Sequence, residues 1–297
     1  MESIRTISSI SDLHQALGYE KPKHPLITVI DLAKVGDHKD ASGQKICLGF
    51  YNIACKKVEG HLLYGRSYYD FTEGSLIFMS PGQVWTSNTH IKEGWALYFH
   101  PDLLHGTELG NKIHEYSFFR YDVNEALHIS EDEKETIQDC LQKIQKEYSQ
   151  PIDRHTQKVL VSTIQLLLEY FDRFYQRQFI TRSKLHSDLV QRFERSLVEY
   201  FQSDLPSREG LPGVRYFADQ LNISPTYLTD VLKKFTGKNT QEHIHLQLVE
   251  RAKNQLLSTT KPISEIAYEL GFEHPSHFTK IFKGKTNLSP GAFRSQN

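Results

Sequence analysis

The sequence predicts a multidomain protein with a β-rich barrel, flanked by helices, on the N-terminal side and an all-α tandem helix-turn-helix domain at the C-terminal end. Three observations predict this. Short apolar runs recur about every ten residues between roughly 25 and 120. From about residue 130 the apolar period changes to three and four. The last ninety residues carry one pattern twice. At 297 residues the chain is long enough for two ordinary cores.

The strand-rich part comes first. Runs at 26–32, 46–54, 62–71, 75–79 and 95–99 are separated by the turn pairs Glu73-Gly74, Pro81-Gly82 and Glu93-Gly94. Strands at this spacing predict a small barrel or sandwich. Helices follow. Ile137, Leu141, Ile144 and Tyr148 form one apolar stripe, and Leu160, Ile164, Leu167, Leu168, Phe171 and Phe174 a second. Leu185, Leu189, Phe193, Leu197 and Phe201 form a third. Each is the buried face of an amphipathic helix. Residues 203–213, with two prolines and two glycines, predict a linker. The expected domains are therefore 1–125, 126–206 and 207–297.

The repeat occupies 214–236 and 263–286. Ala218, Leu221 and Ile223 recur 49 residues later as Ala267, Leu270 and Phe272. Leu228, Val231, Leu232 and Thr236 recur 50 residues later as Phe278, Ile281, Phe282 and Thr286. The one-residue slip falls in the turn between the two helices of each copy, where Asn222 and Gly271 are the residues that most readily accept a left-handed backbone. Ser224-Pro225, Pro262, Pro275 and Pro290 mark helix starts. A helix over 240–257, with Ile244, Leu248, Ala252 and Leu256 on one face, joins the copies. At ~1.5 Å per residue it is a rod of roughly 27 Å, and one DNA turn is ~34 Å. The second helix of such a unit lies in the DNA major groove, so two units predict two neighbouring groove contacts from one chain.

Charge agrees with this reading. The formal net charge is −1, but residues 207–297 hold twelve Lys/Arg against eight Asp/Glu, a net +4. A mildly basic end suits a phosphate-facing surface. Cys47, Cys55 and Cys140 lack metal-site spacing and predict reduced thiols. No long apolar run suggests a membrane anchor or signal peptide, so a cytoplasmic protein is expected.

Residues 207–297 resemble the DNA-binding domain of the AraC/XylS family of bacterial transcription regulators. The stretch ISEIAYELGFEHPSHFTKIFKGKTNLSPGAFR carries the resemblance most closely. It implies a cupin-like N-terminal barrel, a helical region over 126–206 that dimerises, and sequence-specific binding to double-stranded promoter DNA. It further implies activation through RNA polymerase and a possible small-molecule effector. Carried over by position, the groove-facing residues are Thr226, Tyr227, Thr229 and Asp230 in the first unit. In the second they are Pro275, Ser276, His277, Thr279 and Lys280. Lys233, Lys234, Lys280, Lys283 and Lys285 are expected phosphate partners, which position without specifying. Asp230 departs from the basic or amide residue common in the family. A carboxylate there is repelled by phosphates but accepts from cytosine N4.

Two rival readings are a metal-dependent cupin enzyme fused to a DNA-binding module and a non-specific nucleoid-type binder. Against the first, His61, His90, His100, His105 and His114 are scattered, and His243 and His245 lie two apart on a helix and face different sides. Asp70 and Glu73 beside Gly74 read as surface residues. No cofactor, metal or catalysis is expected. Tyr64, Arg66, Tyr68, Trp85, Trp95, Tyr98 and His100 either line a pocket or fill the core.

Overall fold

A computed structural model describes residues 4–35, 45–57, 62–64, 67–69, 75–86, 93–122 and 125–296. The chain divides into two compact units, Met1–Thr181 and Arg182–Asn297.

The first unit begins with β1 (Arg5–Ile7), α1 (Ile10–Ala16) and β2 (Ile27–Asp31). β3 (Lys45–Leu48), β4 (Tyr51–Lys57), β5 (Leu62–Tyr64), β6 (Ser67–Tyr69), β7 (Ser75–Met79), β8 (Val84–Thr86) and β9 (Glu93–Phe99) follow. After α2 (Glu108–Lys112) and β10 (Leu127–His128) come two long helices, α3 (Glu131–Tyr148) and α4 (Thr156–Thr181). The strands form a five-stranded sheet in the order β10-β7-β4-β9-β2, a three-stranded sheet β1-β3-β8 and the pair β5-β6. Among the described residues no ladder joins these sheets, so the region is sheet-rich and the expected barrel closure is not seen there.

The antiparallel register explains why β2, β4, β7 and β9 read as nearly continuous apolar runs. Val29, Leu97, Ile53 and Phe78 form one cross-strand row. On that face Phe78 meets Phe118, Phe171 and Tyr175, with ring centroids 4.6, 5.0 and 5.8 Å away. Ile30, Ala96 and Ala54 form the opposite row and are buried with Ile7, Ile10, Leu13 and Phe50. Both faces are covered, so a polar alternation is absent. The single run expected over 46–54 is two strands. At Gly49 the chain changes sheet, and a Cβ there would lie 3.2 Å from the Ser8 Cα.

α3 opens on a capping box. Ser130 accepts from the Glu133 N–H, and Glu133 accepts from the Ser130 N–H. The same Glu133 carboxylate takes two hydrogen bonds from Arg177 of α4, at 3.0 and 2.6 Å, and Arg177 also donates to the His128 carbonyl at 2.7 Å. One guanidinium thus ties the start of α3 to α4 and β10. The three cysteines are free, and burial pushes the Cys55 thiol up to about 11, which keeps it protonated and inert near neutrality.

The second unit is helical: α5 (Ser183–Gln202), α6 (Leu205–Glu209), α7 (Val214–Leu221), α8 (Pro225–Thr236), α9 (Thr240–Ser258), α10 (Ile263–Glu269), α11 (Pro275–Thr286) and α12 (Pro290–Gln296). The expected boundary at 206/207 moves to 181/182. α5 belongs here because its buried rings pack on the first repeat. Phe193 meets Phe217 edge-on at 5.3 Å, and Tyr200 meets Tyr216 at 4.8 Å. The segment expected as a linker is also built in. Pro206 is buried, and the Tyr200 hydroxyl donates to the Gly210 carbonyl at 2.8 Å.

Candidate nucleic-acid interface

Each copy of the repeat is shaped by its own turn. Asn222 closes α7 in the left-handed region at φ 57°, and Gly271 does the same after α10 at φ 92°. Gly271 has a second reason to lack a side chain. A Cβ would stand 2.7 and 2.8 Å from the Gly210 carbonyl and 2.8 Å from the Pro206 oxygen. The chain after α6 therefore buttresses the second turn.

Past the turn, Ser224 accepts from the Tyr227 N–H at 3.1 Å and Pro225 takes the first helical position. α11 starts likewise on Pro275, with no side chain capping its first turn. Both reading helices end alike. Gly237 and Asn287 adopt the left-handed conformation, and the Thr236 and Thr286 hydroxyls donate to the carbonyls four residues earlier. Asn239 then caps α9 and Ser289 caps α12. The repeat thus runs one helix further than the sequence reading took it, and Gly237/Asn287 and Asn239/Ser289 were the signal for it.

Leu228, Val231 and Leu232 of α8, and Phe278 and Phe282 of α11, are buried. At about 100° per residue, the opposite face of α8 carries Thr226, Asp230 and Lys233. The opposite face of α11 carries Ser276, Lys280 and Lys283. Ser276, His277, Lys280, Lys233, Lys234, Lys283 and Lys285 are exposed, while Thr226, Asp230 and Pro275 are half-buried. Among the described residues no carboxylate lies within ion-pair distance of these five lysines.

Three expected positions sit on the flanks with their polar groups engaged inside the unit. The Thr229 hydroxyl donates to the Pro225 carbonyl at 2.9 Å and lies 3.0 Å from the hydroxyl of the fully buried Thr240. Thr279 donates to the Pro275 carbonyl at 3.0 Å. The Tyr227 hydroxyl is 2.9 Å from Nε2 of His186, a buried residue of α5 whose ring also meets Phe235. His277, on the matching flank of α11, is exposed and stands edge-on to Phe272 at 5.4 Å. His186 was not among the expected residues, and its apolar stripe gave no sign of its partner.

His243 and His245 face different sides of α9, as their spacing predicts. His243 reaches the Thr236 hydroxyl at 2.7 Å, and His245 reaches the Gln241 amide at 2.9 Å. Burial lowers both imidazole pKa values, and Lys285 and His277 lower His245 further. Among the described residues no three His, Cys, Asp or Glu side chains gather to hold a metal, and no helix is long and apolar enough to cross a membrane. His61, His90, Arg66, Asp70, Glu73 and the side chains of Tyr64, Tyr68 and Trp85 lie outside the described residues. Tyr98 belongs to the core.

A model described as a helix-turn-helix domain matches residues 217–296, which take in α8 to α12 and most of α7. The C-terminal domain is of the AraC type. A helix-turn-helix transcriptional regulator of Pseudoalteromonas carrageenovora, in the cgkA 5′ region, is 35% identical over 77 residues. The match covers 26% of this chain and 45% of that protein. The bifunctional transcriptional activator/DNA repair enzyme AdaA of Bacillus subtilis is 30% identical over 101 residues, 34% of this chain and 46% of AdaA. The C-terminal domain of the response regulator AraT from Geobacillus stearothermophilus is 28% identical, with a TM-score of 0.33. That match covers 37% of this chain and 85% of the AraT domain. The chain spans less than half the length of the two curated relatives named. The AraC-type domain here carries the motifs of DNA binding and transcription regulation.

Proposed function

We propose that this protein is a sequence-specific transcription regulator that reads promoter DNA with α8 and α11 of its AraC-type domain. The observation that carries the reading is the pair of outer faces, Thr226/Asp230/Lys233 and Ser276/Lys280/Lys283, at matching positions of two copies of one fold. The 19-residue α9 between the copies is about 28 Å long at ~1.5 Å per residue. That length suits two groove contacts about one turn apart. Lys233, Lys234, Lys283 and Lys285 hold phosphates and set register, and Ser276, His277 and Lys280 read base edges. Thr226 and Asp230 read from the first copy, with Pro275 against the groove wall. Tyr227, Thr229 and Thr279 act by fixing the helices, because their hydroxyls are engaged within the unit.

The protein acts in the bacterial cytoplasm as a homodimer, as an activator that engages RNA polymerase, and not as an enzyme. α4 supports the dimer. Val159, Leu166 and Ile180 are 42%, 44% and 63% exposed, and at about 100° per residue they fall on one side of the helix. The sheet-rich first unit, a cupin-like barrel in this reading, receives a small-molecule effector.

The test is binding to the DNA upstream of its own gene and to a scrambled duplex across a salt series. Specific binding retains a margin of about 10³ or more at physiological salt. Parallel loss on both duplexes would make it a phosphate-only binder. Sedimentation that finds a monomer at micromolar concentration, with unchanged DNA binding, removes the dimer.

A further inference from the structure

We propose that a cleft on the outer edge of β2 binds a small monoanionic hydroxycarboxylate. The cleft lies between α1, the α1–β2 connection, β2 and the C-terminal end of α3, and holds about 320 Å³. That is at the lower end of the range for ligand sites, so the occupant is small.

Among the described residues β2 is the edge strand of its sheet, with β9 on one side of it. Two of its outward N–H groups go to phenols. Val29 donates to the Tyr148 hydroxyl at 3.3 Å, and Asp31 donates to the Tyr19 hydroxyl at 3.4 Å. A phenol oxygen that accepts still has its own proton to give. The two phenols sit over alternate residues of one strand, about 7 Å apart along it. They therefore offer two spaced hydroxyls to an oxygen-rich molecule, with Tyr148 sharing its proton with the Thr28 hydroxyl.

The wall behind them is fixed. His14 is buried, its Nδ1 donates to the Glu20 carbonyl, and its Nε2 accepts from the hydroxyl of buried Thr28 at 3.0 Å. A carbonyl only accepts, so the Nδ1 contact sets the tautomer and leaves Nε2 as the acceptor. The charged rim holds Lys21, Lys23 and Lys34 against Glu20 and Asp31. Lys34 pairs with Asp31 at 3.6 Å, so Lys21 and Lys23 face Glu20 with one positive charge in excess. One carboxylate balances that charge, and hydroxyl oxygens meet the phenol protons. The lining is mostly polar, which disfavours an apolar ligand.

This assignment deepens the effector-controlled reading and rests on it only for the consequence of binding. The test is titration calorimetry on the full chain with a panel of gluconate, glycerate and lactate, with glucose, acetate and inorganic phosphate as comparators. At least one hydroxycarboxylate saturates at one per chain in the millimolar range or below, ahead of every comparator. Lys23→Gln, an exposed change that spares the fold, weakens it about tenfold, as expected for one lost hydrogen bond to a charged group. Tyr148→Phe weakens it similarly, and Lys253→Gln, in the other unit, does not. No saturation by any hydroxycarboxylate, equal binding of glucose or phosphate, or indifference to Lys23→Gln overturns the assignment. Saturation with unchanged promoter affinity upholds the cleft and removes effector control, so the two failures are separable.

Discussion

Replacing Gly271 by alanine puts a methyl group where two backbone segments already meet. The backbone there has φ 92°, a conformation that costs an L-residue ~1–2 kcal/mol. The new Cβ would stand 2.7 Å from the Gly210 carbonyl carbon and 2.8 Å from the Pro206 oxygen. Neither is the end of a flexible side chain, so the stretch after α6 must shift, at an overpacking cost of roughly 1–3 kcal/mol. The sum is about 3 kcal/mol. Gly237→Ala is the control. It has φ 74° but nothing within 4 Å of its Cβ, so it suffers the backbone cost alone. Urea unfolding followed by far-ultraviolet circular dichroism reports the helices of both units, of which the second holds the greater share. Fluorescence of Trp85 and Trp95, the only tryptophans, reports the first unit. The dichroism midpoint falls two to three times as far for Gly271→Ala as for Gly237→Ala, and the fluorescence midpoint moves less. Equal dichroism shifts for the two variants would refute the steric reasoning.

The two turns are not interchangeable either: Asn222→Gly changes stability by no more than ~1 kcal/mol, whereas Gly271→Asn destabilises like Gly271→Ala, as paired melts show. Gly237→Asn is nearly neutral, because Asn287 does the same work at φ 60° in the other copy. Arg177→Ala leaves Glu133, 14% exposed, without its guanidinium and costs the first unit about 2 kcal/mol by tryptophan-monitored unfolding. Burial depresses the His243 pKa below 6.5 in the fold, so the unfolded chain binds its proton first. Its contribution is full above about pH 6.5 and is lost as pH falls from there through the lower folded pKa. Melting temperature therefore drops on acidification, and less steeply in His243→Gln. Lys280→Ala weakens promoter binding by about 1–3 kcal/mol and scrambled DNA by less, while Lys283→Ala weakens both alike, by gel-shift titration.

Helical period, turn residues and caps made the C-terminal domain legible, because each copy is stabilised by residues a few positions apart. Asn222, Ser224 and Pro225 act locally, as does the left-handed backbone of Gly271, and these read correctly; the close approach of Gly271 to Gly210 did not. The boundary was less legible. Periodicity gave α5 a buried stripe but could not say what it meets, since His186 and Phe193 find partners in Tyr227 and Phe217, far along the chain. The prolines and glycines of 203–213 looked like a linker, yet they permit the close approach of Gly210 to Gly271. At the interface, Thr229 and Thr279 lie about 100° from the core residues Leu228 and Phe278. That angle alone places them on flanks, so part of this refinement was available from helical geometry. Closure of the strand region was the least legible feature, because pairing between distant strands leaves no local mark.

The most direct test of two-groove reading is selection of bound duplexes from a random pool at physiological salt, using the full chain. The account predicts two blocks of preferred sequence per monomer, centred one helical turn, about 10 base pairs, apart. Ser276→Ala with Lys280→Ala then erases only one block. Recovery of no preferred sequence, or of a single block that survives those substitutions, would contradict it.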